Sequence, residues 1–284
     1  MDKYVNSFKR ANPGLIIFIV DQSESMNTLY KDGRSFAEVA AGSINKSISE
    51  LALRCTNGTQ IKEVVFIAII THGGFGNNNA RLYRIDKINE LFNSPLRVEN
   101  RKKTIPLPDG EGEMIIFEIE FDLPIIIESR AEGKANLSEA FDLASNLIRE
   151  WREREDNDCD YPREISMDPI PLIVNIAPGH LSYGADLVQR ANRIKGIEME
   201  DGNPMILNCV CTKNHLTDDF PLRNRDEISS YIPQEKIDGF KCSGYPDVTA
   251  QCKLTMYNFE RIPEVINIIT GFSIPCPGPH GYIR

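Results

Sequence analysis

A carboxylate and two hydroxyls stand at alternate positions directly after an apolar run near the start of the chain. The run is LIIFIV (15–20), and Asp21, Ser23 and Ser25 follow it in the order Asp-x-Ser-x-Ser. Oxygen atoms of this kind are the ligands that Mg²⁺ prefers, and Mg²⁺ often leaves coordination positions to water or to a partner. The spacing therefore predicts the beginning of a divalent-metal site at the end of a buried strand.

Strands and helices that would position such a site alternate along the chain. Short apolar runs predict strands at 15–20, 64–70, 114–121, 172–176 and 205–211. Apolar residues at helical spacing predict helices at 35–54, 137–151, 186–195 and 262–270. Ser35 is the expected N-cap of the first helix, with Glu38 completing a capping box. Alternation of this kind predicts an α/β fold, a Rossmann-like, doubly wound, mostly parallel sheet flanked by helices.

Two histidines follow other predicted strands and can join Asp21. His72 comes after the strand at 64–70, and His180 comes after the strand at 172–176. The working surface of such a sheet lies beyond the carboxyl ends of its strands. We therefore expect a shared surface, the predicted rim. Its segments are 21–26, 72–79, 133–137 and 178–186.

The composition limits the classes of partner. The chain has 284 residues and a formal net charge of −9, which argues against nucleic acid or an anionic membrane as the main partner. Its apolar runs are shorter than the roughly 20 residues of a membrane span. The first residues lack a secretory signal, and the seven cysteines include no CxxC pair. We expect a cytoplasmic protein with reduced thiols.

The chain is expected to form a single domain at 1–284. Its core covers about 12–235, with an irregular polar insertion at 77–113 and a C-terminal extension at 236–284. Sequence signatures of common enzyme classes are missing, since there is no Gly-x-Ser-x-Gly elbow, no phosphate-binding GxxxxGK[ST] loop and no GxGxxG fingerprint. These missing signatures argue against those enzyme classes.

The Asp-x-Ser-x-Ser run at the strand end resembles the opening motif of the von Willebrand factor A (VWA) domain and its metal-ion-dependent adhesion site (MIDAS). The chain is similar, more narrowly, to stand-alone bacterial VWA proteins that accompany a protein phosphatase and a kinase. Further blocks carry this resemblance over about 12–235. They are LALRCTNG (51–58), NSPLRVENRKKTIPLPDG (93–110), PLIVNIAPG (171–179) and EDGNPMILNCVC (200–211).

The resemblance implies a Rossmann-like fold with Mg²⁺ bound at the strand tips. In the family, the metal is held by the two motif serines, a threonine from a second loop, and aspartates from the first and fourth core strands. A carboxylate of the partner completes the shell. The resemblance thus implies a protein-binding module rather than an enzyme.

This chain departs from the family pattern at both of the other metal-binding loops. Gly133-Lys134-Ala135 stands where the family has Gly-Gly-Thr, so the threonine hydroxyl is missing. Ala177-Pro178-Gly179 stands where the family has Thr-Asp-Gly, so the second carboxylate is missing. Only Asp21, Ser23 and Ser25 remain as metal ligands. We therefore expect Mg²⁺ binding to be weak or absent.

Three charged or titratable residues of the predicted rim can compensate for the missing ligands. Glu24 replaces the usual glycine between the serines and can return a carboxylate, while Lys134 and His180 can each place a cation near Asp21. With His72, they are the candidate partner-binding residues. Local packing for His72 and solvation for His180 are the alternatives.

Several interpretations stay open for the motif and for the protein. Asp21 and the two serines can cap the loop through backbone amides, hold a residual metal, or contact a partner directly.

The favoured function is a non-catalytic protein-binding module that is an accessory component of a bacterial signalling or defence system. Its partner is expected to be a kinase, a phosphatase or another component of that system. The alternatives are a VWA domain with a weakened Mg²⁺ site and an enzyme that acts on a small ligand in the same cleft.

Overall fold

The structure is a computed structural model that describes residues 6–30, 32–74, 79–108, 114–155, 163–178, 185–211 and 257–258. The strands are β1 (Gly14–Gln22), β2 (Thr56–Asn57), β3 (Gln60–Ile61), β4 (Val65–Gly73), β5 (Ala80–Lys87), β6 (Arg97–Pro108), β7 (Met114–Ile125), β8 (Leu172–Pro178), β9 (Met205–Cys211) and β10 (Tyr257–Asn258). The helices are α1 (Phe36–Arg54), α2 (Ile88–Asn93), α3 (Leu137–Glu153) and α4 (Ala185–Lys195).

A mostly parallel central sheet organises the described part of the chain. Its strand order is β10-β9-β8-β1-β4-β5. Neighbouring strands run parallel, except that β5 pairs antiparallel with β4 at the edge. The prediction of an α/β fold with a mostly parallel sheet and flanking helices is confirmed.

Strand β1 is apolar on both faces because helices cover both faces of the sheet. Ile16 and Phe18 belong to the core cluster under α1, whereas Ile17 and Ile19 belong to the cluster under α3 and α4. Successive side chains of a strand alternate between faces. Asp21 therefore lies on the face of α3 and α4, like Ile17 and Ile19.

Helix α1 begins where the sequence predicted. Ser35 is its N-cap and Glu38 completes the capping box, with the Glu38 amide donating to the Ser35 hydroxyl at 3.2 Å. Helix α3 begins after a second side-chain cap, since the Asn136 side chain accepts from the Glu139 amide. Both caps satisfy amides that have no partner within the first turn.

The expectation of an irregular insertion at 77–113 was wrong for its described part. This stretch contains the edge strand β5, the short helix α2 and the long strand β6. Apart from the buried Ala80, Ile88 and Leu91, the described side chains of these elements are half-exposed or exposed. Their sequences are therefore rich in polar residues and lack the apolar runs that mark buried strands. The structure also extends β4 through His72 to Gly73, where a loop was expected.

Strands β6 and β7 form a separate two-stranded antiparallel ribbon. Leu123 and Ile125 are buried at the end of the ribbon that joins the domain. No helix among the described residues is both long and apolar enough to cross a membrane. The helix predicted at 262–270 and nearly all of the extension at 236–284 lie outside the described residues.

Candidate functional site

The loop after β1 brings the three motif residues together. The Ser23 amide donates to Asp21 Oδ1 at 2.7 Å, and the Ser23 and Ser25 hydroxyls lie 2.8 Å apart. Asp21 is 1% exposed and Ser23 is 3% exposed, whereas Glu24 is exposed. The carboxylate thus caps its own loop through a backbone amide, and the exposed part of the loop is Glu24 rather than Asp21.

Backbone hydrogen bonds fasten this loop to the segment that leads into α3. The Glu24 amide donates to the Gly133 carbonyl at 2.9 Å, and the Glu132 amide donates to the Gln22 carbonyl at 2.8 Å. The Asn27 side chain adds a bond to the Ala131 carbonyl at 3.0 Å. Two loops that are distant in sequence therefore form one connected surface.

Below this surface, His72 pairs with Asp21 across β1 and β4. Its Nδ1 lies 3.8 Å from Asp21 Oδ1, and neither side chain is exposed. The Asn136 amide donates to the same Nδ1 at 3.3 Å, so this nitrogen accepts and the ring proton is on Nε2. Burial lowers the pKa of His72, and the charge of Asp21 opposes this shift. His72 is therefore a neutral group that supports the surface from below, so it does not lie on the predicted rim itself.

The end of β4 approaches the β1 loop very closely at Gly73. This residue has φ +75°, and a Cβ there would lie 2.6 Å from the Ser23 amide nitrogen. The next amide, of Gly74, donates to the Glu132 carbonyl at 2.6 Å. Glycine at position 73 is thus required both for the backbone conformation and for the space.

The two other loops of the site contain the residues that depart from the VWA family pattern. In the register of β1 and β8, Val20 pairs with Ile176, so Asp21 and Ala177 come next on their strands. Ala177 is fully buried and offers no ligand atom. Lys134 and Ala135 are exposed beside Gly133, and His180 lies outside the described residues.

These atoms fit a divalent cation only in part. Among the described residues, no group of three or more His, Cys, Asp or Glu side chains is arranged to hold a metal. In the described part of the chain, Asp21 Oδ2 is buried and has no hydrogen-bond partner. It can therefore act as a metal ligand together with the Ser23 and Ser25 hydroxyls. One carboxylate and two neutral hydroxyls compensate poorly for the water that Mg²⁺ must lose. Mg²⁺ would be held by these three residues, and weakly.

Three supporting residues were not singled out from the sequence. Asn136 caps α3 and binds His72, Gly73 admits the close approach of β4, and Gln22 donates from Nε2 to the Glu128 carbonyl at 3.2 Å. Asn136 stands directly before a predicted helix, so its role as the N-cap could have been predicted from the sequence. The other two depend on contacts between segments far apart in the chain.

A cavity of about 550 Å³ lies elsewhere, near the amino ends of β8 and β9. Arg163, Asp168 and Met199 are among its lining residues, and Asp21 is not. Since β1 runs parallel to β8, Asp21 is at the opposite end of the sheet. This cavity therefore does not extend the site around Asp21.

Comparison with known proteins identifies no family for the chain. No protein-family model and no curated protein matches it. Among solved structures it is similar to the PilB minor pilin from Streptococcus sanguinis, with 8% identity over 92% of this chain and 61% of that one, at a TM-score of 0.39. It is also similar to the pilus adhesin RrgA from Streptococcus pneumoniae, with 10% identity over 86% of this chain and 33% of that one, at a TM-score of 0.30. The chain spans less than two thirds of either protein, and these scores are too low to support an argument about function.

Proposed function

We propose that the protein is a non-catalytic, VWA-like protein-binding module that docks its partner on the two connected loops at the strand tips. The docking area, named the tip surface here, consists of the exposed residues Glu24, Asn27, Glu132, Lys134 and Ala135. The observation that carries the proposal is the backbone bond from Glu24 to Gly133, which places these residues on one fixed platform.

Preorganisation supports a binding role for this platform. The hydrogen bonds of Glu24, Asn27 and Glu132 hold both loops in place before any partner arrives. Binding to a surface that is already ordered loses less conformational entropy than binding to a mobile loop. Glu24 and Lys134 add opposite charges to the two bonded loops, which can set the orientation of a charged partner.

Burial of the titratable pair argues against catalysis at this place. A general acid or base must come within hydrogen-bond reach of its substrate. Asp21 and His72 have no exposed side-chain area, and His72 Nδ1 already accepts a backbone amide. Glu24 and Lys134 are exposed, and neither lines the cavity near the amino ends of β8 and β9.

The class of partner is inferred from the resemblance. Stand-alone bacterial VWA proteins accompany a protein phosphatase and a kinase, so we propose a protein of a bacterial signalling or defence system, such as one of these enzymes, as the partner. The net charge of −9 supports a protein over nucleic acid.

A weak Mg²⁺-dependent mode of binding is the second candidate function. The unpartnered Asp21 Oδ2 and the adjacent hydroxyls of Ser23 and Ser25 favour it. In that case, a carboxylate of the partner would complete the ligand set, and binding would be lost in EDTA. The favoured proposal expects binding in EDTA, because the contacts come from Glu24 and Lys134.

Co-purification from extracts of the native host tests the proposal. The tagged full chain is compared with Glu24→Lys, with Lys134→Glu and with Glu150→Lys, an exposed glutamate on α3 that serves as the matched control. We expect the same protein to be retained by the wild type and by the control, and to be lost from both tip-surface variants. Identical retention by all four proteins would refute docking on the tip surface.

A further inference from the structure

The ribbon of β6 and β7 presents a second surface with a regular pattern. Along β7, Phe117, Ile119 and Phe121 alternate with acidic residues, and these three apolar side chains are 40 to 46% exposed. Alternate residues of a strand lie on opposite faces. One face of β7 is therefore apolar and open to solvent.

The opposite face of β7 is acidic. Glu118, Glu120 and Asp122 occupy successive positions on it, and all three are exposed. Lys102 of β6 contacts two of them, at 2.5 Å from Glu118 and 3.6 Å from Glu120. Asp122 accepts from the neutral amide of Asn100, at 3.3 Å. The face keeps an excess of negative charge.

The outer edge of β7 also has backbone N–H and C=O groups that can form hydrogen bonds with a further strand. Strand β6 pairs with one edge of β7, and among the described residues no strand pairs with its other edge. An unpaired edge is a template for a further strand, and partner side chains then pack against those of the edge strand. The neighbours of such a strand would be apolar on one face and acidic on the other.

We propose that the outer edge of β7 binds an extended segment of a partner protein in which apolar and basic residues alternate. Its apolar side chains would cover Phe117, Ile119 and Phe121, and its basic side chains would pair with the three carboxylates. Charge complementarity selects this occupant, since opposite charges on directly paired residues stabilise a sheet and like charges destabilise it.

A second copy of the chain is a poorer occupant. If two β7 edges paired with their apolar faces together, carboxylates would face carboxylates in either strand direction, because positions 118, 120 and 122 are all acidic. Such like-charge pairs oppose edge-to-edge association. The arrangement thus discriminates against self-pairing and favours a basic partner strand.

Labelled peptides and the full chain test this proposal by fluorescence anisotropy. The probe alternates lysine and valine over about eight residues, which matches the length of a typical strand. One control peptide has the same lysines and valines in two blocks, and the other alternates glutamate and valine. We expect the alternating basic peptide to bind about tenfold more tightly than either control, because only it matches both faces.

Protein variants locate the binding site. Glu118→Gln with Glu120→Gln should weaken binding of the basic peptide about tenfold, and Ile119→Thr should weaken it without removing charge. The matched control, Glu150→Gln with Glu153→Gln on α3, should bind like the wild type. Amide hydrogen exchange should slow in β7 when the peptide binds.

Three results would overturn the proposal. They are equal binding of the alternating and blocked peptides, unchanged binding by the double glutamine variant, and no binding of the alternating peptide at all. Sedimentation velocity tests a fourth contradicting result. If the wild type is a dimer and Ile119→Thr is a monomer, a second copy of the chain occupies the ribbon.

Discussion

His72 Nδ1 lies 3.8 Å from Asp21 Oδ1, and neither side chain is exposed. The pair joins β1 to β4 directly below the loop that carries Ser23 and Glu24. Because Asn136 also donates to His72, the start of α3 is tied to the same place. The strand tips are thus held together by buried polar groups, and the residues of the tip surface above them are exposed.

Acid should destabilise the protein through His72. Burial lowers the pKa of His72 in the folded state, whereas the unfolded chain takes up a proton at about pH 6.5. The unfolded state therefore binds more protons below this pH, so the stability is fully present above pH 6.5 and is lost as the pH falls toward the folded-state pKa. Urea unfolding between about pH 5 and 8 should show a slope of up to about 1.4 kcal/mol per pH unit from this residue.

The variant His72→Gln checks the origin of this slope. Glutamine does not titrate, and its side-chain oxygen can accept from the Asn136 amide. We expect the variant to lose most of the dependence on pH between about 5 and 6.5. A variant with the same slope as the wild type would assign the acid sensitivity to other groups.

Gly73→Ala should be strongly destabilising. The new Cβ would lie 2.6 Å from the Ser23 nitrogen at φ +75°, so backbone strain adds to a steric clash. We expect a loss of about 2 to 4 kcal/mol in the free energy of unfolding. Gly58→Ala is the matched control, since φ is +65° there and no described atom lies within 4 Å of the new Cβ. It should lose about 1 kcal/mol, and equal losses for both variants would contradict the close approach.

Asn45 should be a structural anchor for the segment between the ribbon and the tip surface. This residue is buried on α1, donates to the Ile127 carbonyl at 2.9 Å and accepts from the Ile126 amide at 2.8 Å. Asn45→Ala leaves these backbone groups buried without a partner, which should cost about 3 kcal/mol of stability. The exposed Asn27→Ala should cost about 0.5 kcal/mol. Chemical denaturation measures both, and a similar loss for the two variants would contradict the anchoring role.

The core strands and the first helix could be predicted from the sequence, whereas the contacts that hold His72 beside Asp21 could not. Strands β1, β8 and β9 are buried on both faces, so continuous apolar runs mark them, and the capping box of α1 is local in sequence. The continuation of β4 through Thr71-His72-Gly73 has no apolar signal. It depends on the pairing of His72 with Asp21 and on the Glu132 carbonyl, which come from distant segments. His72 was accordingly expected in a loop.

The site around Asp21 shows the same limit. The spacing predicted that Asp21, Ser23 and Ser25 lie together, and the structure places them next to one another at the end of β1. Burial of the carboxylate could not be read from the motif, because it results from the packing of β4 and of the segment before α3. Strand β6 was missed because five of its twelve residues are charged and no continuous apolar run marks it.

Mg²⁺ should stabilise the wild-type protein only slightly. If the dissociation constant is weaker than about 10 mM, about 10 mM Mg²⁺ adds less than about 0.4 kcal/mol to the free energy of unfolding. Thermal unfolding with Mg²⁺, Mn²⁺ and EDTA measures this effect. A large stabilisation that EDTA reverses would favour the metal-dependent alternative.

Restoring the missing ligands provides a positive control for that experiment. By the resemblance to the VWA family, Ala135→Thr returns the second-loop hydroxyl and Pro178→Asp returns the second carboxylate. The double variant should gain Mg²⁺ affinity by at least about tenfold in calorimetric titration. No gain would contradict the assignment of Asp21, Ser23 and Ser25 as the remainder of a metal site.

The affinity of the purified partner for the full chain, measured by calorimetry in EDTA, tests the central claim most directly. Docking on the tip surface predicts that EDTA leaves the affinity unchanged and that Glu24→Lys weakens it at least about tenfold, or about 1.4 kcal/mol, while Glu150→Lys has no effect. Equal affinity of the wild type and Glu24→Lys, or complete loss of binding in EDTA, would contradict the account.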